Sequence, residues 1–350
     1  KFIMAYTDID KPSDYFNTVL YTGNGGTQSI TGVGFAPNWV WGKSRSITEG
    51  NAVHDTVRGV RKNILTNTNA AEEDIASITA FGSDGFTLGS NAHLNANNSS
   101  MVAWNWKAGT SFTNDASSTG IGSMDSAGSV NEEAGFAIVS YTGNETASTL
   151  KHGLSTVPQM IIVKGRIAAR DWIVGHHTQG WTTSAMLNET TAYSNQTHWN
   201  NTAPTSSVFT IEGGSNSNVN TNNAAYISYI FSERKGYSKF GSYTGNGNAD
   251  GTFVYTGFKP AFVMIKRTNS TQNWYINDNK RNPNNDGSEN FLQANLSDAE
   301  GSTTVLDFLS NGIKLRQSGD GVNASGSSYI YMAFAENPFV TSTGVPATAR

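Results

Sequence analysis

The side chains able to do chemistry in this chain are few and dispersed. His176 and His177 are adjacent, just after the apolar run Trp172-Ile173-Val174. Neighbours on a strand point to opposite faces, so the two are poor joint ligands for one metal. The matching stretch in a later copy, Trp274-Tyr275-Ile276-Asn277-Asp278, has no histidine, and both histidines read as structural or surface groups. His54 beside Asp55, and Asp84 with His93, suggest acid–base pairs. Asp84 is better explained by a turn, however, and His54 has no partner at a recognisable spacing. Glu72 and Glu73 would have to face each other across a sugar to hydrolyse it, whereas consecutive side chains diverge. Gly23-Asn24-Gly25-Gly26 and Gly32-Val33-Gly34 lack the helix and lysine that follow a phosphate loop. The expectation is a protein that is not an enzyme, with no catalytic residues, cofactor or metal.

Tryptophan is the remaining candidate. Trp39, Trp41, Trp104, Trp106, Trp172 and Trp274 lie on apolar runs that read as core strands. Trp181 and Trp199 fall instead in a polar, Thr- and Asn-rich stretch. With Tyr193, His198 and Asn200 they form the predicted contact set for a glycan, since exposed loop aromatics suit recognition.

The elements that would position these residues recur three times. Tyr21-Thr22-Gly23-Asn24 returns as Tyr141-Thr142-Gly143-Asn144 and Tyr243-Thr244-Gly245-Asn246. A proline (Pro37, Pro158, Pro260) then precedes an apolar run ending at Lys43, Lys164 or Lys266. Both faces of these runs are apolar, as in a strand buried between two layers, and the lysine reads as emergence into solvent. Gly42 stands where the other copies have Val163 and Ile265, so the first copy should pack differently there. Each copy closes on an aromatic run, at residues 101–106, 226–231 and 329–334. Asp84-Gly85 and Asn311-Gly312 predict type I′ hairpins, which Ser206-Ser207 in the second copy cannot form. The segment 70–78 has room for a helical turn or two.

A unit of roughly a hundred residues is a domain, far longer than the 20–50 residues or so of a solenoid repeat. The expected fold is therefore all-β: three tandem β-sandwich, jelly-roll-like domains. The predicted boundaries are an N-terminal arm (1–18), repeat 1 (19–110), a Ser/Gly-rich linker (111–134), repeat 2 (135–235), repeat 3 (236–340) and a tail (341–350). The short connection between the second and third copies predicts close docking of those two. The first would be angled or separately engaged, with the arm hooking onto a neighbour or a particle; attachment then falls to the first domain and outward display to the others.

Only 14% of the 350 residues are charged, the net charge is −4, and there are 36 glycines and no cysteines. A basic excess able to neutralise phosphates is missing, which argues against nucleic acid. Disulfides and thiolate chemistry are excluded. No apolar run of about 18 residues suggests membrane insertion. Lys1-Phe2-Ile3-Met4 has no apolar segment behind it and does not read as a signal peptide, with Met4 as the native initiator.

Met4-Ala5-Tyr6-Thr7 and Asp10-Lys11-Pro12-Ser13-Asp14-Tyr15-Phe16, leading into Tyr21-Thr22-Gly23-Asn24, resemble the opening of a family of virion proteins. These belong to tailed phages of marine and fresh waters and are tail- or fibre-like, of undefined function. The segments 83–91, 102–109, 239–247 and 333–339 match it as well. The resemblance implies a virion structural protein on a tail, fibre or capsid surface, partnered by other virion proteins. A homo-oligomer is expected, a trimer if the protein is a fibre. The alternative expectation is a carbohydrate-binding adhesin that recognises a host surface glycan.

Overall fold

The computed structural model describes residues 6–348 except Asn216 and Ser288. Residues 1–5, which include Met4 and the start of the arm, and the last two residues of the tail lie outside it. The protein is almost wholly antiparallel β-structure. Each sequence copy supplies one large sheet and one small one.

In the first copy the large sheet runs Phe16–Thr22, Ser100–Trp106, Trp39–Ser44, Ala52–Asp55, Lys62–Leu65, Glu73–Asp74 in spatial order. The third repeats that plan with Ser238–Thr244, Ser328–Pro338, Phe258–Arg267, Trp274–Asp278, Asn290–Gln293 and Gly301–Ser302. Opening and closing strands pair, and the middle strands form a meander. A small sheet lies over each: Gln28–Ile30, Gly85–Leu88 and Ile78–Gly82 in the first copy, and Phe253–Tyr255, Gly312–Leu315 and Leu306–Leu309 in the third. In the second copy the small sheet has only Ser148–Lys151 and Val208–Ile211. At Ser206-Ser207, where a different turn was expected, the hairpin's other strand is absent altogether.

The aromatic runs alternate between two cores with the two-residue period of a strand. Val40, Ile161, Val163, Val263 and Ile265 face the small sheet of their own copy. Trp39, Trp41, Met160, Ile162, Phe262 and Met264 face a central cluster, joined there by Trp104, Trp106, Tyr229, Phe231, Met332 and Phe334. That cluster is shared by all three copies. Trp39 stacks on Tyr229 (4.6 Å between ring centroids) and Phe16 stacks on Phe334 (5.3 Å), so rings of different copies interleave. The second layer inferred for these strands is thus the neighbouring copies.

This arrangement corrects five expectations. Residues 111–134 are not a linker: Thr110–Asn114 and Ser126–Asn131 extend the second large sheet, pairing in order onto Phe136–Thr142. The first copy is not set apart, because its tryptophans occupy the common core, which removes the premise for giving it a separate attachment role. The described part of the arm folds onto its own chain. Ile9 enters the central core, Asp8 N–H donates to the Lys235 carbonyl at 3.0 Å, and Asp10 accepts from Ser342 N–H at 2.6 Å. The segment 70–78 holds no helix; Glu73–Asp74 is instead an edge strand paired with Lys62–Leu65. The hairpins do form, one residue out of the expected register. Their two-residue turns are Ser83-Asp84 and Ser310-Asn311, and none of the four has the positive φ that a type I′ turn requires.

Gly42 has a packing reason. A Cβ there would meet Leu94 Cδ2 at 2.3 Å. The other copies place Val163 with Val219, and Ile265 with Val322, in the same two positions. Gly42→Val should therefore overpack the first sandwich and cost about 1–3 kcal/mol. Adding Leu94→Val should restore most of the loss, read by urea unfolding of the single and double variants.

Candidate functional site

The five predicted glycan contacts do not form one surface. Trp181 and Trp199 make a perpendicular ring pair, 5.4 Å between centroids, inside the sandwich core of the second copy. Trp199 is only 1% exposed, so no ring face is left for a sugar. Gly175 makes room for the pair, since a Cβ there would lie 2.6 Å from Trp181 and 2.7 Å from Trp199. His198 is buried beside them, its Nδ1 2.8 Å from Ser184 Oγ, and burial lowers its pKa. Tyr193 packs against the central core, and its backbone N–H donates to the Thr268 carbonyl of the third copy at 3.0 Å. Asn200 alone is exposed, in a left-handed turn with φ of 48°. A polar sequence neighbourhood had suggested solvent, but Trp181 lies on the strand Gly180–Met186 of the second large sheet and Trp199 in a turn at 198–201, and both rings pack into the sandwich core.

The other candidates are structural too. His54 and His176 are fully buried, and burial holds both pKa values down, that of His176 to about 3. His177 Nε2 lies 2.7 Å from the Phe240 carbonyl oxygen. Asp84 closes its turn by accepting from Gly32 N–H and Gly34 N–H. Glu72 and Glu73 diverge: Glu72 turns inward and Glu73 faces solvent. Among the described residues, no group of three or more His, Asp or Glu side chains is placed to hold a metal.

The polar groups that do converge lie at the seams between copies, and they recur in cyclic order. Each seam has two backbone hydrogen bonds of 2.8 to 3.0 Å. Glu72 N–H donates to Arg166 O and Arg170 N–H to Asn69 O; Tyr193 to Thr268 and Gln272 to Thr190; Glu300 to Arg45 and Glu49 to Ser297. Copy one therefore joins two, two joins three, and three returns to one. A side-chain donor reinforces each seam: Trp172 Nε1 to Leu65 O at 2.9 Å, Trp274 Nε1 to Met186 O at 3.0 Å, and, where the tryptophan is replaced, Asn51 Nδ2 to Gln293 O at 3.1 Å.

The three recurring lysines complete the ring. They do not emerge into solvent, as their place at a strand end had suggested; Lys43, Lys164 and Lys266 are all 0% exposed. Their ammonium groups donate to Ser297 O (2.8 Å), Asn69 O (3.2 Å) and Thr190 O (2.8 Å) of the adjoining copy. Burial lowers the pKa of Lys43 and Lys164 to about 8 and that of Lys266 to about 7.

Two seams also hold a buried ion cluster missed at the level of sequence. Arg58 pairs with Asp55 and Glu72, and Arg166 of the second copy shares Glu72. Arg281 pairs with Asp278 and Glu300, and Arg45 of the first copy shares Glu300. Burial alone would raise the Glu72 pKa, but the hydrogen bond from Arg166 and the charges of Arg58 and Arg166 bring it below its ordinary value. The readable signal was the spacing Asp-x-x-Arg at Asp55 to Arg58 and Asp278 to Arg281. At the third seam the equivalent positions are His176, Gln179 and Tyr193, and the carboxylate–guanidinium pairs are replaced by neutral groups.

Fold and seams together define an all-β protein of three sheet pairs closed around one aromatic core, with its convergent polar groups engaged in cohesion. Residues 11–338 match the family described as Domain of unknown function (DUF7483), and the chain belongs to that family. Comparison with curated proteins and with solved structures gave no match.

Two measurements check the seams. Asp278→Ala leaves Arg281 with Glu300 as its remaining ionic partner, its Nε unpaired, and strands the Trp104 indole N–H, which donates to Asp278 at 3.0 Å. It should cost about 3–5 kcal/mol in urea unfolding, against about 1 kcal/mol or less for Asp84→Ala at the exposed turn. Lys266 binds its proton more weakly in the fold than in the unfolded chain. The unfolded state therefore holds more protons between about pH 7 and 10, and stability should rise with pH over that range. Lys266→Met should remove up to about 1.4 kcal/mol per pH unit from that slope between about pH 7 and 9.

Proposed function

We propose that the chain is a structural protein of a tailed-phage virion, a component of tail, fibre or capsid surface that docks on other virion proteins. The observation carrying this reading is that whatever recurs among the three copies is spent on cohesion. The tyrosines of the repeated Tyr-Thr-Gly-Asn motif donate to Leu94 O, Val219 O and Val322 O, binding each closing loop to its sandwich. Buried Asn95, Asn220 and Asn323 then accept from the motif's asparagine N–H in each copy. The tryptophans, lysines and ion clusters bind copy to copy. A molecule that uses its buried polar groups in this way is built to hold shape, and the motif resemblance supports placing it in a virion.

Association with further copies, as a trimer within a fibre, would use the outer sheets of the sandwiches, because the central faces are already covered. Mass spectrometry and cryo-electron microscopy of gradient-purified particles test the proposal. The expected result is the chain at fixed copy number with three-lobed density on the particle. Its absence from infectious particles that carry the gene would overturn the reading.

A further inference from the structure

Four large aromatic side chains are exposed among the described residues, and three of them share one place. Tyr6, Tyr255 and Phe339, exposed by 61%, 55% and 37%, line one cavity of about 220 Å3, while Phe253 lies outside its lining. Its remaining wall includes Glu233, Lys235, Gly236, Lys239 and Thr256, so it sits where the arm, the connection between copies two and three, and the edge strand Phe253–Tyr255 meet. Aromatic rings in a soluble protein are ordinarily covered, and several exposed rings sharing a concavity with a few polar groups mark a ligand site.

The lining specifies the class of ligand. Glu233 and Lys239 are paired across 3.2 Å and are each about one-third exposed. The pair presents a carboxylate acceptor and an ammonium donor whose charges offset each other, and Lys235 is the one further charged residue of the wall, which selects against a cationic ligand. The volume is below the 300–1,000 Å3 or so of drug-sized pockets, which limits the occupant to about one ring. Tyrosine rings offer apolar faces edged by a hydroxyl, suited to a ligand with one C–H-rich face and a polar rim. A pyranose has that character: axial C–H groups on one face and hydroxyls around its edge that both donate and accept.

We propose that this cavity binds a single pyranose ring of a neutral saccharide, with Tyr6, Tyr255 and Phe339 against its C–H face and the Glu233–Lys239 pair on its hydroxyls. The site is separate from Trp181 and Trp199, and it stands independently of the structural role. The rigid backbone around it favours binding without rearrangement: the Gly236 backbone abuts Thr7, and Lys235 O accepts from both Asp8 N–H and Thr7 Oγ1.

Saturation-transfer difference NMR on the full chain tests this, using glucose, galactose, mannose, rhamnose and N-acetylglucosamine as probes. At least one should receive saturation with a Kd on the order of millimolar, as expected for a ligand of so few atoms. Tyr255→Ala and Glu233→Gln should each weaken that binding tenfold or more, while Ile167→Ala, at an exposed position outside the cavity, leaves it unchanged. Thermal melts establish that each variant is folded, and Glu233→Gln decides the matter if Tyr255→Ala is not. Lack of transfer to all five sugars overturns the proposal, as does transfer that survives in a folded Tyr255→Ala or Glu233→Gln variant.

Discussion

Every large sheet in this protein is apolar on both faces, and a single small sheet can cover only one of them. Trp39, Trp41, Trp104 and Trp106 on the first, and their counterparts on the others, would be left in water if a copy folded alone. Fully burying one such side chain contributes about 1.5–3 kcal/mol, and many of them meet here. The requirement to bury these second faces decides the rest. Three sheets must meet, they must meet around an axis, and the chain must return to where it began. The copies are for this reason not beads in an array whose stabilities add from neighbour to neighbour. They should fold as one cooperative unit, and slowly, because most of the defining contacts join residues far apart in sequence.

Once apolar surfaces define the ring, polar groups fix its register. Sheet edges offer unpaired N–H and C=O groups that must be covered, and at each seam the next copy covers them. The buried lysines serve this purpose at some electrostatic cost: each gives up water for carbonyl oxygens of the adjoining copy. The ion clusters at two seams act likewise, since a buried carboxylate–guanidinium group contributes more to alignment than to net stability. The third seam does without the ion cluster, using Tyr193, His176 and Gln179 where the others use carboxylate and guanidinium, and keeps only the buried Lys266. The ring is thus threefold in backbone and only partly threefold in chemistry.

Much of this was legible in the sequence. The continuous apolar runs Met160-Ile161-Ile162-Val163 and Phe262-Val263-Met264-Ile265 announced strands covered on both sides, and Gly42 announced a difference in local packing. What covers the second face was not legible, because period 2 says that a face is buried and nothing about what buries it. The same gap misplaced Lys43, Lys164 and Lys266. A lysine at the end of an apolar run points to water unless another layer continues past it, as one does here. Residues 111–134 look like a linker because strands at a sheet edge tolerate Ser, Gly and Thr. Trp181 and Trp199 look exposed because their neighbours in sequence are polar, although their neighbours in space are Gly175 and the rest of a sandwich core.

The contact between Asp10 and Ser342 has a mechanical meaning. It brings the two ends of the ring to one corner, so tension applied through the flanking segments would load that corner and leave the three sheets unstretched. A tandem array of separate sandwiches would instead transmit such a force through every domain in turn. A fold held through those segments would hang like a pendant, its length adding nothing to reach.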